Sequence, residues 1–318
     1  MTATVFAGVA LAVGLSAICP LTAMAGEPKK QYWATSLSGA VDGTLLQGLY
    51  DAVAHGEVGW LDIDPGNPIP RMTPGINLIL YHVGGNCYDG ADCDRFPSSE
   101  PTGDRWGDKE RVIDLDDPAT RTIVIDDLVT LVQKGDELAP EGSVVGVHLD
   151  NVHRLSAQGV ADVFNEFLKA VEVARQQGRI SKSREIGYVA KNNPKVFKQA
   201  LDQRLLDAPP LYQINENARL SEDGVLNSAS RLAQEIGRQY CIPVFLKTFG
   251  SDEAYTIGQD DNQQTVYVSE EMTRRMAQLP NISGVAWSVD EGRYHPTIFV
   301  QGSPVPQGRL PLGACRPE

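Results

Sequence analysis

The sequence predicts an α/β protein built as a single (β/α)8 barrel of the TIM type with extended loops. Short runs of apolar, β-branched residues alternate with segments of helix length, the pattern of parallel strands joined by helices. Five of these runs end directly in a cluster of polar residues, and barrel enzymes carry their chemistry at the C-terminal ends of strands. The five runs cover residues 144–149, 186–190, 211–214, 243–246 and 282–287.

The chain opens with a segment typical of a secretory signal peptide. Its first 25 residues carry no charged side chain and end in the small-x-small pattern Ala23-Met24-Ala25. An uncleaved membrane anchor is the alternative, since the stretch is near the lower length limit for spanning a bilayer. We expect a signal peptide over residues 1–25, a barrel domain over residues 26–318, and a secreted or periplasmic protein free of the membrane.

The next segments predict two strands followed by a long loop. Residues 60–64 and 77–83 are apolar runs of strand length. A stretch rich in Pro, Gly and Asp follows from Cys87 to Asp108 and predicts a surface loop. Loops of this length inside a compact domain are often functional.

Helices are predicted between the later strands. The pair Asp117-Pro118 is a start signal, and the apolar positions after it recur every three or four residues. Strands and helices then alternate from Ser143 to the end without a repeat or a linker, which favours one domain. The further helices are predicted over residues 157–177, 194–206, 221–240 and 269–279.

The net charge of −13 restricts the class of partner. Such acidity argues against nucleic acid and against an anionic membrane surface as partners. It is compatible with a cationic substrate, although acidity that serves only solubility is the alternative. We expect a monomer that binds a polysaccharide and needs no cofactor or metal.

Four cysteines remain after removal of the signal segment, and an even number in an exported chain favours disulfides. Four cysteines allow three pairings. The short separation of Cys87 and Cys93 and the tail position of Cys315 favour Cys87–Cys93 together with Cys241–Cys315.

Asp150 is the first candidate catalytic residue. It follows the strand at residues 144–149, and side-chain alternation places it on the same face as His148. A loop-capping role is the alternative for an isolated Asp-Asn pair. Glu216 strengthens the hypothesis, because it lies 66 residues later, or two βα units of roughly 30 residues each. Two carboxylates at one barrel mouth suit glycoside hydrolysis.

Glu216 stands between Asn215 and Asn217 at the end of an apolar strand. An unpaired carboxylate is costly there, so either a catalytic task or a salt bridge to Lys191 or Lys247 is expected. An apolar environment would raise the pKa of Glu216, which favours Glu216 as the acid/base and Asp150 as the nucleophile. Whether the reaction retains or inverts configuration depends on the separation of the two carboxyl groups.

The order and spacing of several motifs resemble glycoside hydrolase family 114, the endo-α-1,4-polygalactosaminidases. The resemblance implies a (β/α)8 barrel, Asp150 and Glu216 as the catalytic pair, and a polymer of galactosamine or of partly N-acetylated galactosamine as substrate. His153 and Asn217 depart from the family pattern, and this puts the substrate in doubt more than the chemistry. The motifs are Gly107-Asp108 with Arg111–Leu115, Arg121, Leu128 to Gly135, Gly146–Val152, Lys191-Asn192 and Asn215–Asn217.

Further polar and aromatic residues at the predicted strand ends are candidates for substrate binding. Trp60, Asp62 and Asp64 share one face and are expected to meet an amino sugar. Barrel core is the alternative role of Trp60, and a loop cap is the alternative role of Asp64. Trp287 is expected to stack on a sugar ring, with core packing as its alternative. The full set of candidates is Asp62, Asp64, Tyr81, Asn151, Lys191, Asn192, Asn215 and Trp287.

Two other functions remain open from the sequence. A metal-dependent polysaccharide deacetylase would use His82, His148, Asp62 and Asp150 as ligands. A non-catalytic sugar-binding barrel would keep the pocket without the reaction. Turnover of a polysaccharide panel separates the catalytic functions from the binding function.

Overall fold

The structure is a computed structural model. It describes parts of the chain, and the segment expected to be the signal peptide lies outside the described residues. No helix among the described residues is both long and apolar enough to cross a membrane. The described residues are 32–36, 50–51, 53–55, 58–88, 90–97, 99–101, 110–152, 154–221, 223–249, 255–257, 264–266, 270–288 and 300–301.

One sheet forms the centre of the protein. Its order is β1-β2-β3-β7-β8-β9-β10-β13-β14, and every neighbouring pair from β1 to β13 is parallel, so eight parallel strands lie side by side. The last strand, β14, pairs antiparallel with β13. The strands of this sheet are β1 (Tyr32–Ser36), β2 (Val58–Ile63), β3 (Asn77–His82), β7 (Val145–Leu149), β8 (Ile186–Lys191), β9 (Tyr212–Asn215), β10 (Val244–Phe249), β13 (Gly284–Ser288) and β14 (Val300–Gln301).

The sheet is curled, because side chains from distant strands meet on its inner face. Trp60 on β2 and Tyr212 on β9 are four strands apart in the sheet, yet their ring centroids are 5.2 Å apart. Neighbouring strands lie about 4.8 Å apart, so a flat sheet would separate these two strands by roughly 19 Å. The inner face therefore encloses a packed interior, as in a barrel.

The predicted α/β class and parallel sheet are confirmed, whereas closure into a complete barrel is not. Among the described residues, β1 and β13 are not paired with each other, so a closed eight-stranded barrel remains a prediction.

Helices cover the outer face of the sheet. Asp117 caps α2 by accepting hydrogen bonds from the backbone of Ala119 and Thr120, and Pro118 is the first helical residue, as the sequence predicts. The Phe164 ring on α3 stacks on Tyr188 of β8 at 4.0 Å, which fixes the helix against the sheet. The helices are α1 (Gly90–Asp94), α2 (Pro118–Leu138), α3 (Ala157–Gln176), α4 (Pro194–Asp202), α5 (Ser228–Tyr240) and α6 (Glu270–Ala277).

The predicted start of α5 at residue 221 is wrong. The hydroxyl of Ser221 accepts a hydrogen bond from the backbone of Val225, and Leu220 and Leu226 form an isolated antiparallel bridge. This turn uses the backbone groups that a helix would need, because Ser readily bonds to nearby backbone. The helix begins only at Ser228.

The predicted loop after β3 contains ordered elements. We call residues 84–101 the insertion. Its strands β4 (Asn86–Tyr88) and β5 (Ser99–Pro101) flank β6 (Glu110–Ile113) in a small antiparallel sheet, and α1 lies between β4 and β5. Two further short strands, β11 (Tyr255–Ile257) and β12 (Gln264–Val266), pair with each other elsewhere.

The predicted Cys87–Cys93 disulfide closes the insertion, with an S–S distance of 2.05 Å. Cys241 is also disulfide-bonded. Cys315 lies outside the described residues, so the pairing Cys241–Cys315 remains a prediction.

Candidate active site

Five side chains from five neighbouring strands meet at the C-terminal edge of the curled sheet. We call this edge the mouth. Alternation along each strand explains why they share the inner face, since the residues two positions earlier in each strand line the interior. Because parallel strands all end at the same edge, polar residues that are distant in sequence come together there. The five residues are Tyr81 on β3, Asp150 after β7, Lys191 at the end of β8, Glu216 after β9 and Lys247 on β10.

Asp150 is held by donors on both carboxylate oxygens. Its Oδ2 accepts hydrogen bonds from the Tyr81 hydroxyl at 2.6 Å and from the Lys191 ammonium at 2.5 Å. Its Oδ1 accepts a hydrogen bond from the backbone N–H of Asn151 at 2.7 Å. Asn151 adopts a left-handed backbone with φ of 60°, a conformation that Asn tolerates better than most residues. The orientation of Asp150 is therefore fixed before any substrate arrives.

Glu216 is held in the same way from the opposite side of the mouth. Its Oε1 lies 3.1 Å from the Lys247 ammonium, and its Oε2 lies 3.3 Å from the Lys191 ammonium. Asn192 bonds Glu216 twice, because its amide nitrogen donates to Oε2 and its amide oxygen accepts from the Glu216 backbone N–H. The expected salt bridge and the candidate catalytic position therefore coincide.

Lys191 bridges the two carboxylates. Its ammonium contacts Asp150 Oδ2 at 2.5 Å and Glu216 Oε2 at 3.3 Å. These two oxygens are therefore separated by at most 5.8 Å, the sum of the two distances. The carboxyl groups of Asp150 and Glu216 face one small space.

Both carboxylates are ionised at neutral pH. Burial raises the pKa of Asp150, but the charge and hydrogen bond of Lys191, together with His148, hold that pKa below its usual value. Burial likewise raises the pKa of Glu216, and Lys191 and Lys247 together hold it well below its usual value. The expected rise in the pKa of Glu216 is therefore wrong. The apolar strand explains its burial but not the two ammonium groups that neighbouring strands bring to it.

A second polar cluster lies one layer deeper, in the interior of the sheet. Asp62 is completely buried, and its Oδ2 contacts His148 Nδ1 at 2.7 Å and the Tyr212 hydroxyl at 3.0 Å. The His148 ring packs edge-on against Tyr81, with centroids 5.1 Å apart. The structure therefore places Asp62 beneath the mouth, where it supports the ring of Tyr81 through His148, rather than at the surface of the pocket.

The metal-site hypothesis requires His82 and His148 to converge. The structure places them on opposite faces of the sheet, because His82 is adjacent to the inward-facing Tyr81 and its Nε2 lies 3.7 Å from Asp127 on α2. Among the described residues, no group of three or more His, Cys, Asp or Glu side chains is arranged to hold a metal ion.

Two other candidates occupy different places from those expected. Asn215 faces away from the mouth, where its amide donates to the hydroxyl of Ser230 on α5 at 2.9 Å. Asp64 caps a turn through a hydrogen bond from the Gly66 N–H at 2.7 Å, the alternative role that the sequence left open. Trp287 lies on β13, and its side chain is outside the described part of the structure.

A cavity of about 230 Å³ opens beside the mouth. Tyr81 forms part of its wall, and the hydroxyl of Tyr81 donates to Asp150. The carboxylates of Asp64 and of Asp92, from α1 of the insertion, make it acidic. The lining residues are Asp64, Pro65, Tyr81, His82, Val83, Asn86 and Asp92.

Two residues have a larger role than the sequence predicts. The sequence predicts Lys247 only as one possible salt-bridge partner, yet it is almost fully buried and contacts Glu216 directly. Tyr81 was expected to contact sugar, and its hydroxyl instead binds Asp150. Their positions two residues apart from the inward-facing Ile79 and Phe245 are the signal that identifies them as mouth residues.

No protein family model and no curated protein matches the chain. The chain is similar in structure to Ega3 of Aspergillus fumigatus, solved in complex with galactosamine, with 14% identity and a TM-score of 0.49 over 86% of this chain and 96% of Ega3.

Two other structures have lower scores. A glycoside hydrolase domain of a PelA variant from Pseudomonas aeruginosa has 11% identity and a TM-score of 0.47 over 85% of this chain and 97% of that domain. An α-amylase from Lactobacillus plantarum has 12% identity and a TM-score of 0.43 over 91% of this chain and 78% of its own. The function is therefore argued from the side chains at the mouth.

Proposed function

We propose that this protein is an exported glycoside hydrolase that cleaves an α-1,4-linked polymer of galactosamine and N-acetylgalactosamine internally. The observation that carries the proposal is the pair of buried carboxylates, Asp150 and Glu216, which face one space at the mouth of a parallel sheet. Two carboxylates on either side of a glycosidic bond are the common machinery of glycoside hydrolases. The Cys87–Cys93 disulfide supports the proposed export, because disulfides persist in oxidising compartments.

In the proposed mechanism Asp150 is the nucleophile and Glu216 is the acid/base. The nearest oxygens of the two groups are at most 5.8 Å apart. Carboxyl groups about 5–5.5 Å apart belong to retaining enzymes, and separations of about 6.5–9.5 Å belong to inverting ones. This bound on the nearest oxygens is compatible with a retaining enzyme, and the proposed reaction is attack of Asp150 on the anomeric carbon, followed by hydrolysis of the glycosyl-enzyme bond by water that Glu216 activates.

Glu216 must carry a proton to act as the acid on the leaving oxygen. The ammonium groups of Lys191 and Lys247 hold the pKa of Glu216 well below its usual value, so the protonated form is scarce at neutral pH. Substrate that displaces an ammonium from Glu216, or a fall in pH, supplies the protonated form. The proposed reaction is therefore expected to be faster in acid than at neutral pH.

The acidic cavity beside Tyr81 supports an amino sugar as substrate. The catalytic space itself is balanced, because two lysines accompany its two carboxylates. In the cavity, Asp64 and Asp92 provide negative charge on the side of Tyr81, whose hydroxyl binds Asp150. A sugar unit next to the cleaved bond would place its ammonium there, where opposite charges attract.

Incubation of the mature protein with purified galactosaminogalactan, followed by mass spectrometry of the products, tests the proposal. A ladder of short oligosaccharides is expected from the native protein. Asp150→Asn and Glu216→Gln are each expected to lower turnover by about 1,000-fold or more, roughly 4 kcal/mol of barrier. Release of acetate without chain cleavage would favour a deacetylase. Binding without any product would favour the non-catalytic barrel.

A further inference from the structure

Gly85, the second residue of the insertion, bonds directly to the backbone of Asp150. The Gly85 N–H donates to the Asp150 carbonyl at 3.0 Å, and the Asp150 N–H donates to the carbonyl of His82 at 2.8 Å. Both backbone groups of Asp150 are therefore held by the chain that leaves β3. The bond that Asp150 donates to His82 continues the ladder of β3 and β7, whereas the bond that Asp150 accepts from Gly85 is an addition by the insertion.

The close approach at Gly85 requires glycine. A Cβ atom on Gly85 would lie 2.0 Å from the carbonyl oxygen of Asn151 and 2.4 Å from its carbonyl carbon. Real Cβ atoms stay at least 3.0 Å from such atoms, so any side chain at Gly85 forces its own backbone and that of Asn151 apart by about 1 Å. A Cβ on the neighbouring Gly84 meets instead the side chain of Leu149, which packs in the outer core.

Strand β6, which lies outside the insertion, holds Gly85 from the other side. The Gly85 carbonyl accepts a hydrogen bond from the Ile113 N–H on β6 at 2.9 Å, and the adjoining Asn86 pairs with Val112. The Cys87–Cys93 disulfide closes the chain immediately after this contact. Arg95 ties the far end of the insertion to Asp127 on α2 at 2.7 Å. Gly85 is thus held by hydrogen bonds between Asp150 on one side and β6 on the other.

We propose that Gly85 is a positioning residue for Asp150, and that the disulfide-closed insertion acts on the reaction through this contact. The proposal rests on the proposed function, because it assigns Gly85 to the reaction of Asp150. The position of Asp150 depends on its Oδ2 lying between the Tyr81 hydroxyl and the Lys191 ammonium, with its Oδ1 on the backbone N–H of Asn151. A displacement of its backbone by about 1 Å moves the carboxylate from this position.

Gly85→Ala is the test variant and Gly84→Ala is its matched control. Both add one methyl group to adjacent positions of the same turn, but only Gly85→Ala pushes on the backbone at Asn151. For Gly85→Ala we expect kcat to fall by roughly 100-fold, since a misplacement of 1 Å can cost that much, with KM within a factor of two of the native value. Gly84→Ala is expected to lower Tm and leave kcat within a factor of three.

A second variant covers the case in which Gly85→Ala does not fold. The double substitution Cys87→Ala with Cys93→Ala opens the insertion and adds no atom at the mouth. Its kcat is expected to fall at least threefold, again with KM unchanged. Retention of the native kcat by either folded variant would overturn the proposal, as would an equal loss of kcat in Gly84→Ala.

A readout without substrate separates this proposal from the proposed function. Carbon-13 NMR of the side-chain carboxyls in the full mature protein follows the titration of Asp150. In Gly85→Ala the pKa of Asp150 is expected to rise, because the carboxylate leaves the donors that stabilise its ionised form. A rise without any hydrolysis in the native protein would refute the glycosidase and keep the positional contact. An unchanged pKa in an active enzyme would refute the contact alone.

Discussion

Replacement of Lys247 by Met should change the pH dependence of hydrolysis in a defined direction. The Lys247 ammonium is almost fully buried and lies 3.1 Å from Glu216 Oε1. A positive charge at this distance favours the ionised carboxylate. Removal of Lys247 therefore raises the pKa of Glu216 and increases the fraction that carries the proton needed by the leaving group. The alkaline limb of kcat/KM, which reports this acid, moves to higher pH.

The structure limits the size of this effect. An opposite charge within about 4–6 Å lowers the pKa of a carboxyl by roughly 1 to 3 pH units. The low end applies to Lys247→Met, because Lys191 remains 3.3 Å from Glu216 Oε2 and continues to favour its ionised form. We expect the alkaline limb to move up by roughly 1 pH unit. The variant should also lose stability, since breaking a buried ion pair costs up to about 3–5 kcal/mol.

The assay is kcat/KM measured from pH 3 to pH 9, a range of about six pH units, on one galactosamine-containing polymer. Lys198→Met is the matched control, because Lys198 pairs with Asp202 on the surface of α4, away from the mouth. An alkaline limb that stays in place in a folded Lys247→Met protein would refute the electrostatic reasoning. If the alkaline limb of kcat/KM moves equally in Lys198→Met, the shift is caused by the change in net charge and not by the contact with Glu216.

Three further predictions concern the hydroxyl of Tyr81, the salt dependence of hydrolysis and the second disulfide. Tyr81→Phe removes the hydroxyl that donates to Asp150 Oδ2, so the pKa of Asp150 should rise. The value of kcat should fall by about tenfold, because one hydrogen bond to a charged group is lost. Hydrolysis of the deacetylated polymer should weaken with salt through KM, as the Debye length shortens from about 10 Å at 0.1 M to about 3 Å at 1 M, whereas equal salt sensitivity of the fully acetylated polymer would count against the acidic cavity. Peptide mass mapping of unreduced protein should find Cys241 linked to Cys315, and alkylation of all four mature cysteines without reduction would contradict both disulfides.

Seven of the eight parallel strands were predictable because their pattern is local, whereas β1 was not predicted. Apolar strands that end in polar clusters predict parallel strands and their order, and helix signals such as Asp117-Pro118 predict α2 correctly. The start of α5 was not predictable from periodicity, since the side-chain bond of Ser221 to the backbone of Val225 competes with the helix. The insertion was predicted as a loop because its strands are only three residues long and rich in turn-forming residues.

The two carboxylates of the candidate site were predictable, whereas several of their neighbours and several roles were not. Asp150 and Glu216 stand at strand ends, and position alone marks them. The depth of Asp62 was not predictable, because burial depends on Tyr212, a residue four strands away. The predicted rise in the pKa of Glu216 is wrong for the same reason. Lys191 and Lys247 come from other strands, and only the fold brings their charges to one carboxylate.

The charge of the whole chain and the charge of the catalytic space lead to different conclusions about the substrate. The chain carries −13, yet Asp150 and Glu216 are matched by Lys191 and Lys247 at the mouth. A cationic sugar therefore gains little attraction from the catalytic space itself, where an ammonium would meet two buried ammonium groups. Attraction of a free amine has to come from the acidic cavity beside Tyr81. Selection for deacetylated units should then act on the sugar next to the cleaved bond, so products should carry a preferred free amine at one end only.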